Sequence, residues 1–286
     1  MSATTVDPSL RNDRTDEASI GIERELLANF GVGASYIYRN MPDYQNYTPS
    51  VGVSAGDYLP VTITVPCGST ACTDPSYTVT YFQLPFTQPA QGLRRNAERT
   101  RKYHGLELTA RKRFSDRWML NASANLQTTK YYYVGPDVSF QDPTDIDMLD
   151  GAETGTANAR WLGKLTGLYV LPWQDIGVSG FVNMRQGYPF NRYVLSPSRT
   201  GGIGTVDIDI DRWGDVRYDN FYQVDMRIEK QFAFGRTKWS AAFDVFNLLN
   251  SNVVLTREDQ MNSTRANFVE EVLAPRVARF GVRVSF

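Results

Sequence analysis

Apolar and polar side chains alternate with a period of two through much of the chain, which puts every second side chain on the same face of a strand. In residues 103–114, His104, Leu106, Leu108, Ala110, Lys112 and Phe114 share one face, and Gly105, Glu107, Thr109, Arg111 and Arg113 share the other. After Ser115-Asp116-Arg117 the pattern restarts with Trp118, Leu120, Ala122, Ala124 and Leu126 against Met119, Asn121, Ser123, Asn125 and Gln127. Pairing residues whose numbers sum to 232 sets Ala110 opposite Ala122 and Arg111 opposite Asn121, so both faces agree across a hairpin. A one-residue slip would break that agreement.

Three further hairpins follow the same design. Ala18, Ile20 and Ile22 turn through Glu25–Asn29 into Phe30, Val32, Ala34, Tyr36 and Tyr38. Trp161 to Leu171 turn at Pro172-Trp173-Gln174-Asp175 into Ile176 to Met184, and Tyr222 to Phe232 turn through Ala233–Thr237 into Trp239, Ala241, Phe243 and Val245. A ninth strand, with Ala278, Phe280, Val282, Val284 and Phe286 on one face, closes the chain. The turns within hairpins are short, and the linkers between them are long: about 40–100, 130–158, 187–220 and 251–276. Compact soluble domains rarely hold repeated connections beyond ~12–15 residues. Outer-membrane barrels do, with short turns at one end, long loops at the other and an outward apolar band edged by aromatics. Phe114, Trp118, Trp173, Phe232, Trp239 and Phe286 fall at the short-turn end. Tyr36, Tyr38, Tyr103, Tyr131, Tyr132, Trp161, Tyr188 and Tyr222 gather at the long-loop end, which predicts two girdles. The reading is therefore all-β: a transmembrane antiparallel β-barrel in the cell outer membrane, with outer-membrane lipid against its apolar face. The alternative is a soluble β-sandwich, whose strands also alternate but are shorter and whose connections are not sorted by length.

Composition narrows the function classes. The chain has 286 residues, 30 basic and 31 acidic side chains and a net charge of −1. That balance argues against nucleic acid as a partner. Mean hydropathy is −0.37, and no run approaches the ~18 apolar residues of a spanning helix. The N-terminal residues lack the basic and apolar regions of an export signal. Strand parity offers an explanation. The last strand runs from a long loop to Phe286, so nine strands place the N-terminus on the long-loop side, and residues 1–13 read as the tail of another outer loop. Nine such strands leave open edges that lipid does not tolerate. The expectation is that residues 1–286 are the C-terminal portion of a larger barrel, as a gene fragment, a mis-called start or a split protein would produce. The missing signal then reads as missing sequence.

Several stretches together resemble the barrel C-terminus of TonB-dependent outer-membrane receptors, especially the Oar-like group. They are Tyr103 to Ala124, Leu168-Tyr-Val-Leu-Pro-Trp173, Gln186-Gly-Tyr-Pro-Phe190, Phe221 to Phe232, Phe243-Asp-Val-Phe-Asn-Leu-Leu-Asn250 and Arg279-Phe-Gly-Val-Arg-Val-Ser-Phe286. The resemblance implies a barrel of 22 strands, of which these nine would match the last nine. It implies import of a scarce solute, of siderophore, vitamin, sugar or peptide class. It also implies as partners a plug and N-terminal strands absent here, a TonB complex reached only through that plug, and an assembly machinery that reads Phe286. A structural or adhesive surface protein that binds a partner through its loops, without transport, is the alternative.

Candidate chemistry is sparse. Cys67 and Cys72 sit at the tip of a hairpin predicted within the 40–100 loop, between Val61–Val65 and Tyr77–Tyr81, and suit a small disulfide on an oxidising surface. Acidic residues cluster in two loops, Asp137, Asp142, Asp145, Asp147, Asp150 and Glu153 in one and Asp207, Asp209 and Asp211 in the other. The second set, if extended, would aim three carboxylates one way, as a Ca²⁺ site does, but no glycine and closing glutamate follow. A solvated loop face is the plainer reading, and no metal or cofactor is assigned. The polar face carries Glu107, Arg111, Arg113, Asn121, Asn125, Lys164, Asn183, Arg185, Asp225, Arg227, Glu229, Asp244, Arg279 and Arg283 as candidate lumen-facing residues. Numbers summing to 471 set Arg227 opposite Asp244, which predicts a cross-strand pair. The one histidine, His104, falls on the apolar face near the outer rim, so no Ser/His/Asp or Cys/His set is available and no enzyme is expected.

Overall fold

A computed structural model describes residues 4–43, 46–153 and 158–286. The N-terminal Met1–Ala3, residues 44–45 and part of the second long linker, residues 154–157, lie outside the described residues.

Nine strands form one antiparallel sheet: β1 (Asp16–Leu27), β2 (Phe30–Met41), β3 (Thr100–Ser115), β4 (Trp118–Tyr132), β5 (Trp161–Val170), β6 (Gly177–Arg185), β7 (Phe221–Phe234), β8 (Thr237–Phe246) and β9 (Val277–Ser285). Each pairs with its neighbour in sequence, so the sheet is a meander from β1 to β9. All nine anticipated strands are present, and the registers agree: Ala110 faces Ala122, Arg111 faces Asn121 and Arg227 faces Asp244.

Two turns are tighter than the pattern suggests. β1 continues to Leu27 through a bulge between Glu25 and Leu27, leaving Ala28-Asn29 as the turn, with Asn29 at φ 65° accommodating the reversal. β7 likewise runs to Phe234, and Gly235-Arg236 alone make the reversal, with Gly235 at φ 59°. At Asp116-Arg117 both residues have positive φ (52° and 70°), the geometry that matches the twist of the flanking strands.

Burial is inverted relative to a soluble protein. The apolar face of the sheet is exposed, with Ile20, Leu126, Phe243 and Phe280 at 74%, 50%, 44% and 70%. The buried apolar cluster lies instead among the long loops: Tyr77, Val79 and Tyr81 from the first, Phe190, Val194 and Ile208 from the third, and Met261 from the fourth. An apolar surface spread over nine strands far exceeds the patches monomeric soluble proteins leave open. No helix among the described residues is long and apolar enough to cross a membrane.

Three of the anticipated girdle aromatics lie elsewhere. Tyr103 pairs with Arg39 and Tyr131 with Arg101, both on the polar face, and the Arg39 guanidinium sits 5.2 Å from the Tyr103 ring centre. Tyr188 leaves the sheet and stacks under Arg185 at 3.6 Å. Position near the loop end does not decide the face; register does.

Candidate functional site

The four long loops (42–99, 133–160, 186–220 and 247–276) pack against one another at one end of the sheet. From the first, the hairpin Leu59–Pro66/Ser76–Gln83 rises with Cys67 and Cys72 joined at its tip. Its tip reaches the fourth loop: the Gly68 amide donates to the Met261 carbonyl (3.0 Å), the Ser69 hydroxyl to Ala266 O (2.6 Å) and the Asn267 side chain to Ala71 O (2.6 Å). The Tyr193 amide in the third loop donates to Asp259 O in the fourth (3.0 Å). Arg192 grips Asp211 through two bonds of 2.7 and 2.9 Å and reaches Asp74 of the hairpin at 3.2 Å.

Beneath this canopy lies a cavity of about 1130 Å³ to which all four loops contribute. That exceeds the ~300–1,000 Å³ usual for small-molecule sites. Tyr58, Phe190, Tyr193, Trp213 and Tyr218 supply aromatic walls, and Asp142, Asp145, Asp207, Asp209 and Asp259 bring carboxyl groups. Arg199 and Arg257 are the cations among the lining residues. Arg199 is almost buried, donating to Asp142 Oδ2 at 2.5 Å and to Phe82 O at 2.8 Å, so it is committed to the wall.

The structure joins the two acidic clusters. Asp145 Oδ1 accepts the Asp209 amide at 3.0 Å, linking the second loop to the third, and Asp209 Oδ2 accepts Trp213 Nε1 at 2.5 Å. Burial, then the neighbouring Asp209, pushes the Asp145 carboxyl up to about 8. Burial raises Asp209 to about 6, partly opposed by the Trp213 bond. Burial also lifts Tyr58 to about 12. Near neutral pH the cavity therefore offers protonated carboxyl and phenol donors beside carboxylate acceptors and aromatic faces, a surface suited to a polar organic solute. Among the described residues no three His, Cys, Asp or Glu side chains are arranged to hold a metal. Asp211, read as a possible calcium ligand with Asp207 and Asp209, is occupied by Arg192.

The polar face of the sheet is a separate surface. Register aligns Glu107 with Asn125, Lys164 with Asn183, Arg111 with Asn121 and Ser240 with Arg283, so these side chains share one face. Asp225 accepts the Asn247 amide at 2.8 Å, at the foot of the fourth loop. Across β7, β8 and β9, Asp244 receives Arg227 at 3.2 Å and Arg279 at 2.9 and 3.0 Å, while Arg227 also bonds Glu229. Arg185 is held by the Tyr188 and Phe221 rings. Arg113, beyond the last regular pair of β3, shares a cleft with Glu23, Arg111 and the backbone of Gly31 and Gly33. Phe286 is fully exposed.

No protein-family profile matches the chain, and no curated protein is similar to it. Solved structures are. The outer membrane transporter YddB from Escherichia coli superposes with a TM-score of 0.53 at 12% identity, over 99% of this chain and 34% of that one. The ferripyoverdine receptor of the outer membrane of Pseudomonas aeruginosa gives 0.53 at 14%, over 96% and 27%. The FrpB iron transporter from Neisseria meningitidis gives 0.50 at 12%, over 98% and 31%. The chain has the fold of an outer-membrane receptor barrel. It spans between 27% and 34% of the length of those chains. In a receptor-type barrel the alternation reads directly: the exposed apolar face is the outer wall, the polar face the inner one, and the long loops share one rim.

Proposed function

We propose that this chain is part of the wall of a TonB-dependent outer-membrane receptor and that its four long loops capture a scarce solute for import. The reading is carried by the loop cavity. A space of about 1130 Å³, walled by residues from four separate loops, stands over one rim of a receptor-type sheet. A siderophore, vitamin, sugar or peptide would fit its mix of aromatic faces and hydrogen-bonding groups. The charged inner wall, with its Glu229–Arg227–Asp244–Arg279 chain, suits contact with water and a plug rather than chemistry on a substrate, and no enzymatic step is assigned to it.

A second reading, a surface protein that binds a partner without importing anything, draws on the same loops. One similar structure is that of an FpvAI–pyocin S2 complex, an association between two proteins.

Retention assays on cells carrying the full protein separate the two readings. Labelled ferric siderophores, cobalamin, oligosaccharides and peptides serve as probes. Import predicts uptake of one class that stops when TonB is inactivated and falls at least ten-fold in Ile203→Trp, which fills the cavity. Uptake indifferent to TonB would defeat the transport reading.

A further inference from the structure

Charges on the apolar face of β3 and β4 occur in two bands only. Lys112 marks one, at the turn end, where its ammonium lies 4.7 Å from the Trp118 ring centre and bonds the carbonyls of Arg113 and Ser115. Lys102 and Lys130 mark the other and face each other directly across the pair. Ten residues separate Lys102 from Lys112 along β3. At ~3.4 Å per residue and a tilt of about 40°, they stand roughly 25 Å apart in height, the thickness of the apolar band of such barrels. Lys102 and Lys130 thus sit at the headgroup level of the loop-side leaflet. The Lys102 ammonium lies 5.1 Å from the Tyr132 ring centre, leaning away from the apolar band.

Like charges directly opposite each other destabilise a ladder unless something neutralises them. Among the described residues no carboxylate lies within ion-pair distance of either lysine. Asp16 shares their row, two strands away beyond Asn40, and is paired with Arg14 at 3.0 Å. Glu153, whose backbone bridges Lys130, is buried between Arg160 and Arg217, each at 2.8 Å. Just below the lysines, a crevice of about 250 Å³ opens on the same face. Leu106 and Leu126 form its apolar part, and Tyr36, His104, Thr128 and the half-exposed Arg160 its polar edge. His104 is steadied there by the Tyr36 hydroxyl at 2.7 Å.

We infer that this rim is a binding site for a phosphorylated lipid of the loop-side leaflet. The phosphate lies against Lys102, Lys130 and Arg160, and an acyl chain enters the crevice over Leu106 and Leu126. The lipid supplies the anion that the lysine pair lacks and covers an apolar notch beside it. The inference rests on the membrane placement of the apolar face and not on transport, so either can fail without the other.

The test is lipid binding to the full chain in phosphocholine nanodiscs, with diphosphorylated lipid A as probe and far-UV circular dichroism as folding control. Expected is a dissociation constant weakened about ten-fold or more in Lys102→Gln/Lys130→Gln, since each lysine near an anionic surface contributes roughly five-fold. Removing both phosphates from the lipid should cost as much. Leu106→Trp, which keeps the lysines and fills the crevice, should weaken binding several-fold and covers the case in which the double variant fails to insert. Wild-type affinity in the double variant or in Leu106→Trp overturns the site. So does displacement of the lipid by inorganic phosphate at equal concentration, which would mark a free-anion site.

Discussion

Burial sets the character of Asp145 more than any single neighbour does. Its carboxyl is raised to about 8, with Asp209, Asp142 and Asp207 adding repulsion. An acid whose folded value lies above its unfolded one binds its proton more tightly when folded. Its contribution is therefore fully present below about 4 and is lost as pH climbs towards 8. The contact between the second and third loops should loosen over that window. The protection factor of the Asp209 amide, its exchange rate corrected for the intrinsic pH dependence, is expected to fall as pH rises towards 8, and Asp145→Asn should flatten the trend. On the inner wall the side chain of Asp244, nearly buried, is held between two arginines. Asp244→Asn should cost about 1–2 kcal/mol in urea unfolding from bilayers, less than a fully buried pair because Arg227 and Arg279 are partly open to solvent. The two residues also differ in legibility. Arg227 and Asp244 sit on adjacent strands of one hairpin, so a single register places them together. Asp145 and Asp209 meet only because two irregular loops fold over the rim, and no period links positions 64 apart.

At the level of elements, strands were easier to read than the loops that bear the site. Alternation located all nine, and errors fell at the turns, where the Glu25/Leu27 bulge and the two-residue reversal at Gly235-Arg236 lengthen strands that the pattern ends early. The loop hairpin owes its place to docking as well as to its own pairing. A Cβ on Gly68 would overlap the Ser263 carbonyl, and one on Gly187 would overlap that of Tyr218. Gly187→Ala should therefore splay the two legs of the third loop where they leave β6 and β7, seen as new proteolytic cuts between 187 and 218 with the strands intact. Opening the Cys67–Cys72 ring by Cys67→Ser/Cys72→Ser should cost the hairpin tip about 2 kcal/mol in a chain-entropy account of so short a loop. The measurable effect is faster protease cutting near Ser69 and unchanged far-UV circular dichroism. An equal loss of strand signal in that variant would show that the hairpin props up the sheet, which the separation of the loop core from the strands argues against.

For the whole molecule, loop cluster and sheet are two layers with opposite logic: one hides its apolar groups among the loops, the other displays them on a wall. Deleting the 59–83 hairpin should leave membrane insertion intact and abolish solute retention, read by fractionation and binding on the same cells. Loss of both would mean that the loop core is needed to assemble the barrel. The amino-acid sequence by itself determined the strands, their order, their register and which side chains share a face, because a two-residue period and short turns are local constraints. It also sorted the connections into long and short, and so placed the loops at one end. Only the tertiary structure decided what those loops build. The cavity, the meeting of Asp145 with Asp209, the docking of the Cys67–Cys72 tip on the fourth loop and the crevice beside Lys102 and Lys130 all arise from contacts between segments far apart in the chain. Irregular backbone carries no period from which such contacts could be read.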